Sequence, residues 1–459
     1  MKISIFAFHY GNWMNLLKNS FLTSAVLLAV SVFSAAAQDH TGASVGYTPY
    51  SMFGLGQLAP QGTGFNSAKG GVGIADRNVR FINLQNPAAV TARESKSFMM
   101  DVGLRQGNTV MEANAAACGV SGDGTVRSAN NTFNMNDIVL SFPIKGSAAF
   151  KFGIMPYSNV GYDFVSEETS SELLSGIGDI RYAHNGSGGT YQIFLGAGYT
   201  FLKRFSVGVD GYYYFGNINH NSYASISSTT ATYRGISTGW YYSLSGLGAK
   251  LGLQYEQPVG KQRAILFGAT YSIPTKLGGE MVEYTFGELS SSTDTLHYNV
   301  SDVKGYDIPA ELGLGITYKH SDKLTIGFDY RQQDWSNTDF GPMPNDNYSF
   351  STANAQSFRL GAEWTPSRYD VRYYFKTLTY HAGLYYDRSY MAVNGHQVAA
   401  KGITLGVTFP VFRYYNSITL GIDLGQNGTL DNDLIRERYL KFTLSFNFHD
   451  IWFIKQLYE

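Results

Sequence analysis

The sequence predicts an all-β protein: a transmembrane antiparallel β-barrel of about fourteen strands, preceded by an N-terminal periplasmic plug or hatch segment. Three observations predict this class. The chain is poor in charge and rich in aromatic residues and glycine, apolar and polar residues alternate over long stretches, and short connections alternate with long ones. We expect a signal peptide at residues 1–37, the hatch at residues 38–96 and the barrel at residues 97–459.

The composition is unusual for a soluble enzyme. Of the 459 residues, 15% are charged and 15% are aromatic, and the chain holds 34 Tyr, 30 Phe and 51 Gly. Soluble domains carry about 25% charged residues. Tyr and Phe favour strands, and Gly suits turns, bulges and crowded barrel walls. The formal net charge of −1 gives no reason to expect a nucleic-acid partner. The single Cys118 can form no internal disulfide.

The N-terminus resembles a secretory signal. Lys18 precedes the apolar run Phe21–Phe33, and small residues follow up to a predicted cleavage site near Gln38. Met14 is a possible true start of translation. The run is shorter than the roughly 20 apolar residues that a membrane helix requires. A mature chain that sits in a membrane must therefore cross it as a barrel, which places the protein in the cell outer membrane.

The alternation of apolar and polar residues begins at Ser97. Between residues 312 and 319, for example, Leu, Leu, Ile and Tyr alternate with Gly, Gly, Thr and Lys. A period of two places the two sets on opposite faces of a sheet. Fourteen runs reach the roughly 9–11 residues that a tilted membrane strand needs. These runs are 97–106, 132–143, 148–164, 189–202, 204–216, 240–258, 263–274, 308–320, 323–334, 356–366, 377–394, 397–411, 415–425 and 436–449.

The connections between these runs alternate in length. Short ones lie at 145–147, 203, 259–262, 321–322 and 412–414, and long polar ones near 107–131, 165–188, 217–239, 275–307 and 335–355. Short turns on one side and long loops on the other are typical of bacterial outer-membrane barrels. A secreted β-sandwich or propeller is the alternative, but its outward face would be richly charged, whereas here the polar face is mainly Gly, Thr and Ser.

Aromatic clusters are predicted to mark the two membrane interfaces, where amphipathic rings are stable. They lie at 212–215, 240–242, 335, 373–375 and 414–415.

Residues 38–96 do not alternate cleanly and are rich in glycine and small apolar residues. A barrel of about fourteen strands has an interior too wide for its own side chains to fill. This segment could therefore plug the lumen, with a disordered periplasmic tail as the alternative. The residues that we expect to form the plug are Gly70, Gly71, Gly73, Asn86, Pro87 and Ala88.

These residues resemble the hatch of the FadL-type family of outer-membrane transporters for long-chain fatty acids and other hydrophobic compounds. In that family a Gly/Ala-rich stretch precedes an Asn-Pro-Ala motif just upstream of the barrel. Further similar segments are 140–143, 152–162, 186–196 and 208–216, and the ends at 50–56 and 446–453 are similar to versions from Bacteroidetes. The resemblance covers the mature chain loosely.

The resemblance implies a barrel closed by its hatch, with an apolar ligand captured outside and released sideways near the third strand. Pro156, Tyr157 and Gly161 are the candidates for this lateral opening. A Pro or Gly that interrupts the ladder can open a wall, although a bend that relieves barrel curvature is an alternative for each residue. The sequence lacks the long apolar loop helices of better-known members, which argues against a fatty-acid substrate.

The sequence holds no catalytic constellation, so we expect no enzyme, no cofactor and no metal site. Three functions stay open. They are diffusive uptake of fatty-acid-like or aromatic hydrophobic compounds, a non-transporting PorV-like shuttle or scaffold in type IX protein secretion, and a general porin. The expected partners are outer-membrane lipid and lipopolysaccharide, a hydrophobic small molecule and the barrel-assembly machinery.

Overall fold

The computed structural model describes residues 46–94, 96–115, 124–145, 147–168, 174–175, 178–228, 233–289, 292–303, 305–340, 349–412 and 416–451. The predicted signal peptide, Cys118, the aromatic pair at 414–415 and the segment 452–459 lie outside these residues.

Fourteen antiparallel strands form the wall of a closed barrel. They are β1 Ser97–Asn114, β2 Thr125–Lys145, β3 Ala148–Glu167, β4 Asp179–Phe201, β5 Phe205–Ser227, β6 Gly235–Pro258, β7 Arg263–Ser272, β8 Glu311–His320, β9 Leu324–Asp334, β10 Asn354–Trp364, β11 Thr379–Val393, β12 His396–Phe412, β13 Asn416–Asn427 and β14 Arg436–Ile451. Each strand pairs with its neighbours in chain order, and β1 closes the barrel by pairing with β14 from Ser97↔Ile451 to Glu112↔Arg436. The predicted fold class and strand number are confirmed.

Smaller elements lie within and around the wall. They are the strands Gln57–Leu58, Thr275–Lys276, Gly278–Leu289, Ser292–Asp302, Asp307–Ile308 and Phe350–Thr352, the α-helix Gly64–Ala68, and the 3₁₀ helices Pro49–Met52, Pro87–Thr91, Tyr374–Lys376 and Asp431–Asp433. Within the described ranges, every helix is too short or too polar to span a membrane.

The two faces of the wall have opposite polarity. On β12 and β13 the outward side chains Leu405 and Leu420 are 51% and 45% exposed, whereas the inward Thr404 and Thr419 are buried. A soluble protein would bury the leucines and expose the threonines. The period-two alternation therefore places the apolar side chains toward lipid and the small polar ones toward the lumen.

Many strands are longer than the sequence predicted. β4 and β5 contain 23 residues each, about twice what the hydrocarbon layer requires, so the wall continues beyond the membrane on the side of the long connections. The long polar connection predicted at 275–307 contains a hairpin of the strands Gly278–Leu289 and Ser292–Asp302 that the sequence analysis did not anticipate. The signal was a short alternation of three apolar residues on each strand, at Val282, Tyr284 and Phe286 and at Leu296, Tyr298 and Val300.

The predicted aromatic belt is only partly correct. Tyr213 and Tyr241 point outward and are 46% and 38% exposed, but Tyr242 and Trp335 lie inside the barrel and are buried. Consecutive aromatic residues on a strand necessarily point to opposite faces. Half of each predicted belt cluster on a strand therefore packs in the lumen.

We expect the substitution Leu405→Arg to impair insertion of the barrel into lipid. Leu405 faces outward beside Ile403 in the apolar run of β12, and an arginine near the bilayer midplane costs about 2–4 kcal/mol. The folded fraction in lipid vesicles, measured by heat-modifiable electrophoresis, should fall. Leu202→Arg is the control, because Leu202 is 78% exposed in the turn between β4 and β5. Equal loss in both variants would contradict the assigned membrane face.

Candidate functional site

The N-terminal segment, defined here as Gly46–Glu94, lies inside the barrel. Asn86 anchors it through both atoms of its side-chain amide. Its Oδ1 accepts a hydrogen bond from Ala88 N at 3.0 Å and so caps the 3₁₀ helix Pro87–Thr91, while its Nδ2 donates to Ile74 O at 2.8 Å and to Leu253 O of β6 at 3.1 Å. The Asn-Pro-Ala motif therefore orders the segment and fastens it to the wall.

The glycine stretch forms a tight turn against β10 and β11. Gly70 and Gly71 have φ angles of +75° and +76°, which L side chains rarely adopt. The turn brings two backbone amides to Asp329 of β9, whose Oδ2 accepts from Gly73 N at 2.7 Å and from Ile74 N at 2.9 Å. The carboxylate holds the end of the glycine stretch in place.

At several points where the segment touches the inner wall, the wall residue is a glycine. The closest atoms to a Cβ built at Gly208 would be the backbone of Pro87 and Ala88, and at Gly268 they would be the backbone of Ile74 and Ala75. Further wall glycines also meet the segment: Gly252 faces the side chains of Asn86 and Pro87, and Gly361 and Gly383 face the backbone of Lys69 and Gly70. These glycines let the part of the segment from Thr63 to Glu94 lie directly against the wall, in the half of the lumen nearest the short turns.

A buried ion-pair cluster ties the segment to β10. Lys69 Nζ contacts Asp76 and lies 3.3 Å from Glu363 Oε2. Burial alone would lower the pKa of Lys69, but the two carboxylates outweigh burial and raise it above its ordinary value. Removing Lys69, or both carboxylates together, would leave buried charge without a partner, which is strongly destabilising.

The wall is interrupted between β2 and β3. The two strands pair only from Ile138↔Ile154 to Lys145↔Ala148, at the end nearest the short turns. Beyond this ladder β3 instead pairs with the N-terminal segment, through Gln57↔Asn159 and Leu58↔Ser158. We call the unpaired stretch between β2 and β3 the lateral gap.

Pro156, Tyr157 and Gly161 all lie along this gap. Pro156 has no N–H to donate to a neighbouring strand, and the register between β3 and β4 shifts between Pro156 and Ser158, which leaves Tyr157 as a bulge. After Phe152, the next exposed side chain on β3 is Asp163. The strand therefore leaves the outer surface at Pro156 and turns into the lumen.

Gly161 allows the N-terminal segment to approach β3 closely. A Cβ at this position would collide with Gly46 O, and the backbone of Gly161 accepts from Thr48 N at 2.8 Å while its N–H donates to Ser51 Oγ at 3.0 Å. The inner edge of β3 at the gap is thus covered by the protein's own N-terminal chain.

A cavity of about 340 Å³ lies in the lumen behind the gap. Met135 and Asn136 of β2 and Pro156 and Tyr157 of β3 line its side toward the gap. Its other walls carry charged and hydroxyl side chains, among them Arg105, Glu311, Arg331, Arg359, Asp387, Tyr385, Asp423, Tyr439 and Lys441. The cavity therefore combines Met135, Pro156 and Tyr157 with the polar Asn136 near the gap and is ionic away from it.

Three of the four arginines that line the cavity, Arg105, Arg331 and Arg359, differ in their partners. Arg359 Nη2 forms an ion pair with Asp387 Oδ2 at 2.7 Å. Arg105 donates to Ser67 Oγ at 3.0 Å, and Arg331 donates to the amide oxygen of Gln85. Within the described part of the chain, neither of these two arginines lies within ion-pair distance of a carboxylate. The guanidinium groups of Arg105 and Arg331 are thus held in place by neutral groups, in a cavity that also contains the carboxylates of Glu311, Asp387 and Asp423.

An aromatic cluster fills the lumen farther along the strands, on the side of the long connections. It packs the 3₁₀ helix Pro49–Met52 and the residues after it against inward-facing aromatic side chains of the wall. Trp335 and Tyr390 lie 4.7 Å apart between ring centroids, and Tyr390 Oη donates to Gly56 O at 2.7 Å. The cluster borders the cavity, whose lining includes Tyr50, Tyr157 and Tyr390.

The sequence predicted candidate hatch residues and candidate residues for a lateral opening, but it predicted neither the charged cavity nor the aromatic cluster. Arg105, Arg331 and Arg359 each lie on a predicted strand, at a position that the alternation places toward the lumen. These three positions could have predicted a charged lumen from the sequence. The aromatic cluster, in contrast, joins residues of several strands, and its prediction would have required the register between those strands. The described residues contain no group of His, Cys, Asp or Glu side chains suited to a metal ion.

The folded chain is similar to FadL-type barrels of known structure. It superposes on a Pseudomonas aeruginosa FadL homologue with a TM-score of 0.55 and 11% identity, over 86% of this chain and 99% of that one. For the Ralstonia pickettii toluene transporter TbuX, the TM-score is 0.51 and the identity 15%, over 86% of this chain and 98% of that one. For the Pseudomonas putida toluene transporter TodX, the TM-score is 0.51 and the identity 15%, over 87% of this chain and 100% of that one. The protein is thus a β-barrel of the FadL type, which confirms the resemblance.

The sequence itself defines the family more narrowly. Residues 17–459 match the model of the BamG family, and the chain belongs to that family. No curated protein sequence matches it.

We expect the substitution Gly383→Val to displace the N-terminal segment, because a Cβ at this position would collide with the backbone of Gly70. Liposomes that contain the variant should swell faster in small polar solutes such as arabinose than liposomes with the wild-type protein. Gly278→Val is the matched control, since a Cβ there meets open space. Unchanged swelling of the Gly383 variant, with the barrel folded, would mean that the segment does not seal the lumen.

Proposed function

We propose that the protein is an outer-membrane channel that passes a small hydrophobic compound by diffusion and releases it sideways through the lateral gap. The observation that carries this proposal is the loss of β2–β3 pairing beyond Ile138↔Ile154, with the cavity directly behind it. A hydrophobic solute is more stable in lipid than in the aqueous periplasm. A route from the lumen into the bilayer therefore avoids water, and no energy coupling, cofactor or chemical step is required.

The charges of the cavity narrow the class of compound. A bare hydrocarbon would have to displace hydrogen-bonding partners from Arg105 and Arg331 without replacing them, and buried polar groups without partners are costly. An apolar compound with a carboxylate would instead place its acid on a guanidinium and its apolar part toward Met135 and Tyr157. We therefore favour a fatty-acid-like or aromatic acid over an uncharged hydrocarbon.

Passage requires the N-terminal segment to move. Residues Gly46–Leu58 cover the inner edge of β3 at the gap and also form part of the aromatic cluster. One displacement of this stretch would therefore open both the connection to the long-loop side and the gap itself. The ligand can drive such a shift only if it binds the open conformation more tightly than the closed one.

Restoring the ladder between β2 and β3 should stop release. In a variant with Pro156→Thr and deletion of Tyr157, β3 regains its N–H donor and loses the bulge that turns it inward. Uptake of a labelled acid into proteoliposome membranes should fall at least about tenfold, while heat-modifiable electrophoresis shows a folded barrel. The control is Phe152→Leu, a volume-conserving change on the same strand outside the gap. Undiminished uptake in the repaired variant would refute a lateral route.

If the cavity prefers acids, one substitution should change the uptake of an acid but not the uptake of a hydrocarbon of the same size. Arg331→Met should weaken uptake of phenylacetate or decanoate by about tenfold, the value of one lost charge-assisted hydrogen bond of roughly 1.5 kcal/mol, and should leave toluene or decane uptake unchanged. Arg181→Met is the control, since Arg181 is exposed and pairs with Glu167 outside the cavity. Equal effects on the acid and the hydrocarbon would remove the proposed role of the cavity charges.

A non-transporting role is the second candidate, as a scaffold in protein secretion or barrel assembly. The aromatic cluster fills the lumen on the long-loop side, and the wall carries extensions well beyond the membrane, both of which suit a barrel that presents surfaces to partner proteins. The name of the BamG family points toward the barrel-assembly machinery. Loss of assembled outer-membrane proteins in a deletion strain, with uptake intact, would favour this candidate. A general porin is disfavoured by the occupied lumen.

A further inference from the structure

The strand Ser292–Asp302 presents an open sheet edge to solvent on the long-loop side of the barrel. Its partner Gly278–Leu289 pairs on one side with this strand and on the other with β6, from Gly278↔Ser245 to Glu288↔Gly235. Every residue of Ser292–Asp302 is exposed, and among the described residues its only pairing is with Gly278–Leu289. We call these two strands the acidic hairpin, because they carry carboxylates but no Lys or Arg.

The acidic hairpin lies beyond the membrane. The part of β6 nearer the short turns, Lys250–Pro258, pairs with the ten-residue strand β7, which matches the length required to cross the hydrocarbon layer. The hairpin pairs with β6 only after β7 has ended. Lipid therefore does not cover its edge, and water or a protein partner must satisfy the exposed backbone groups.

The free edge combines unpaired backbone with apolar side chains. Tyr298 and Val300 are 59% and 51% exposed and stand opposite Tyr284 and Val282 on the neighbouring strand. Val282 in turn stands opposite Tyr241 of β6, which points outward. Natural proteins usually protect long exposed edges with lysine, proline or a covering element. This edge has no such protection among the described residues.

The charge of the hairpin has a single sign. Residues 278–302 contain no Lys or Arg and five carboxylates, which are Glu280, Glu283, Glu288, Asp294 and Asp302. Glu280 stands directly opposite Asp302, an arrangement that is destabilising for like charges. Asp294 pairs with Arg234, which precedes β6, but neither Glu280 nor Asp302 has a cationic partner within the described ranges. The hairpin therefore retains negative charge along a free edge whose backbone can form hydrogen bonds with a further strand.

From these observations we propose that the acidic hairpin is a docking site for a basic polypeptide segment that adds to the edge Ser292–Asp302 as a further antiparallel strand. The exposed N–H and C=O groups require an extended partner backbone, and the stripe at Tyr298 and Val300 accepts apolar side chains at every second position. Asp302 and Glu280, at one end of the same face, favour Lys or Arg beside the apolar stripe, and Glu283 favours a basic side chain on the opposite face. A second copy of this chain is a poor occupant, because two acidic edges repel each other.

The test uses the purified full chain in detergent and a fluorescein-labelled ten-residue peptide that alternates Lys with Val. Fluorescence anisotropy should show saturable binding that weakens with salt. A peptide that alternates Glu with Val should not bind. A fully N-methylated version of the Lys-Val peptide keeps its charge but donates no backbone hydrogen bonds, and its binding should be at least about tenfold weaker.

Two protein variants complete the experiment. The triple change Glu280→Gln, Glu283→Gln and Asp302→Asn preserves side-chain shape and should weaken binding at least about tenfold, whereas the control Glu167→Gln, at an exposed position on β3, should not. Equal binding of the N-methylated peptide would overturn strand addition, and so would a failure of the Lys-Val peptide to bind. Self-association through the hairpin, detected by cross-linking and lost when residues 278–302 are replaced by a short Gly-Ser turn, would assign the edge to a second copy and overturn the proposed partner.

Discussion

The structure depends on direct backbone contact between the N-terminal segment and the inner wall of the barrel. This contact exists only because wall positions such as Gly208, Gly268 and Gly383 have no side chain, so that the chain inside can lie against the strands. Asn86 and Asp329 then satisfy the backbone groups that the contact would otherwise leave buried without partners. The cavity is the space that remains between this packed half of the lumen and the aromatic cluster.

The interruption of the wall and the position of the N-terminal segment are two parts of one arrangement. An open edge on β3 would expose unpaired backbone groups to lipid, where they are costly. Gln57 and Leu58 supply the missing pairing from inside. The same stretch contributes to the aromatic cluster, so that the closed gap and the closed lumen are coupled through one short piece of chain.

The sequence predicted the barrel and its strand number because the apolar residues of a membrane strand must recur at every second position. It also named Pro156 and Gly161 as candidates for a lateral opening in β3, since proline lacks an N–H donor and glycine lacks a side chain. It did not predict the hairpin within 275–307, where the strand Ser292–Asp302 is exposed on both faces and its alternation is limited to Leu296, Tyr298 and Val300. Nor did it predict the buried Trp335 or the charged cavity, which arise when residues distant in sequence meet across the lumen.

The seam between β1 and β14 joins the two ends of the wall, from Ser97↔Ile451 to Glu112↔Arg436. The cylinder cannot be sealed until the last strand has been synthesised and delivered, so folding is necessarily post-translational and rich in slow, long-range pairing. The chain that occupies the interior precedes β1 directly. The N-terminal segment must therefore be enclosed when β1 pairs with β14. The fold thus constrains the order in which the barrel is assembled.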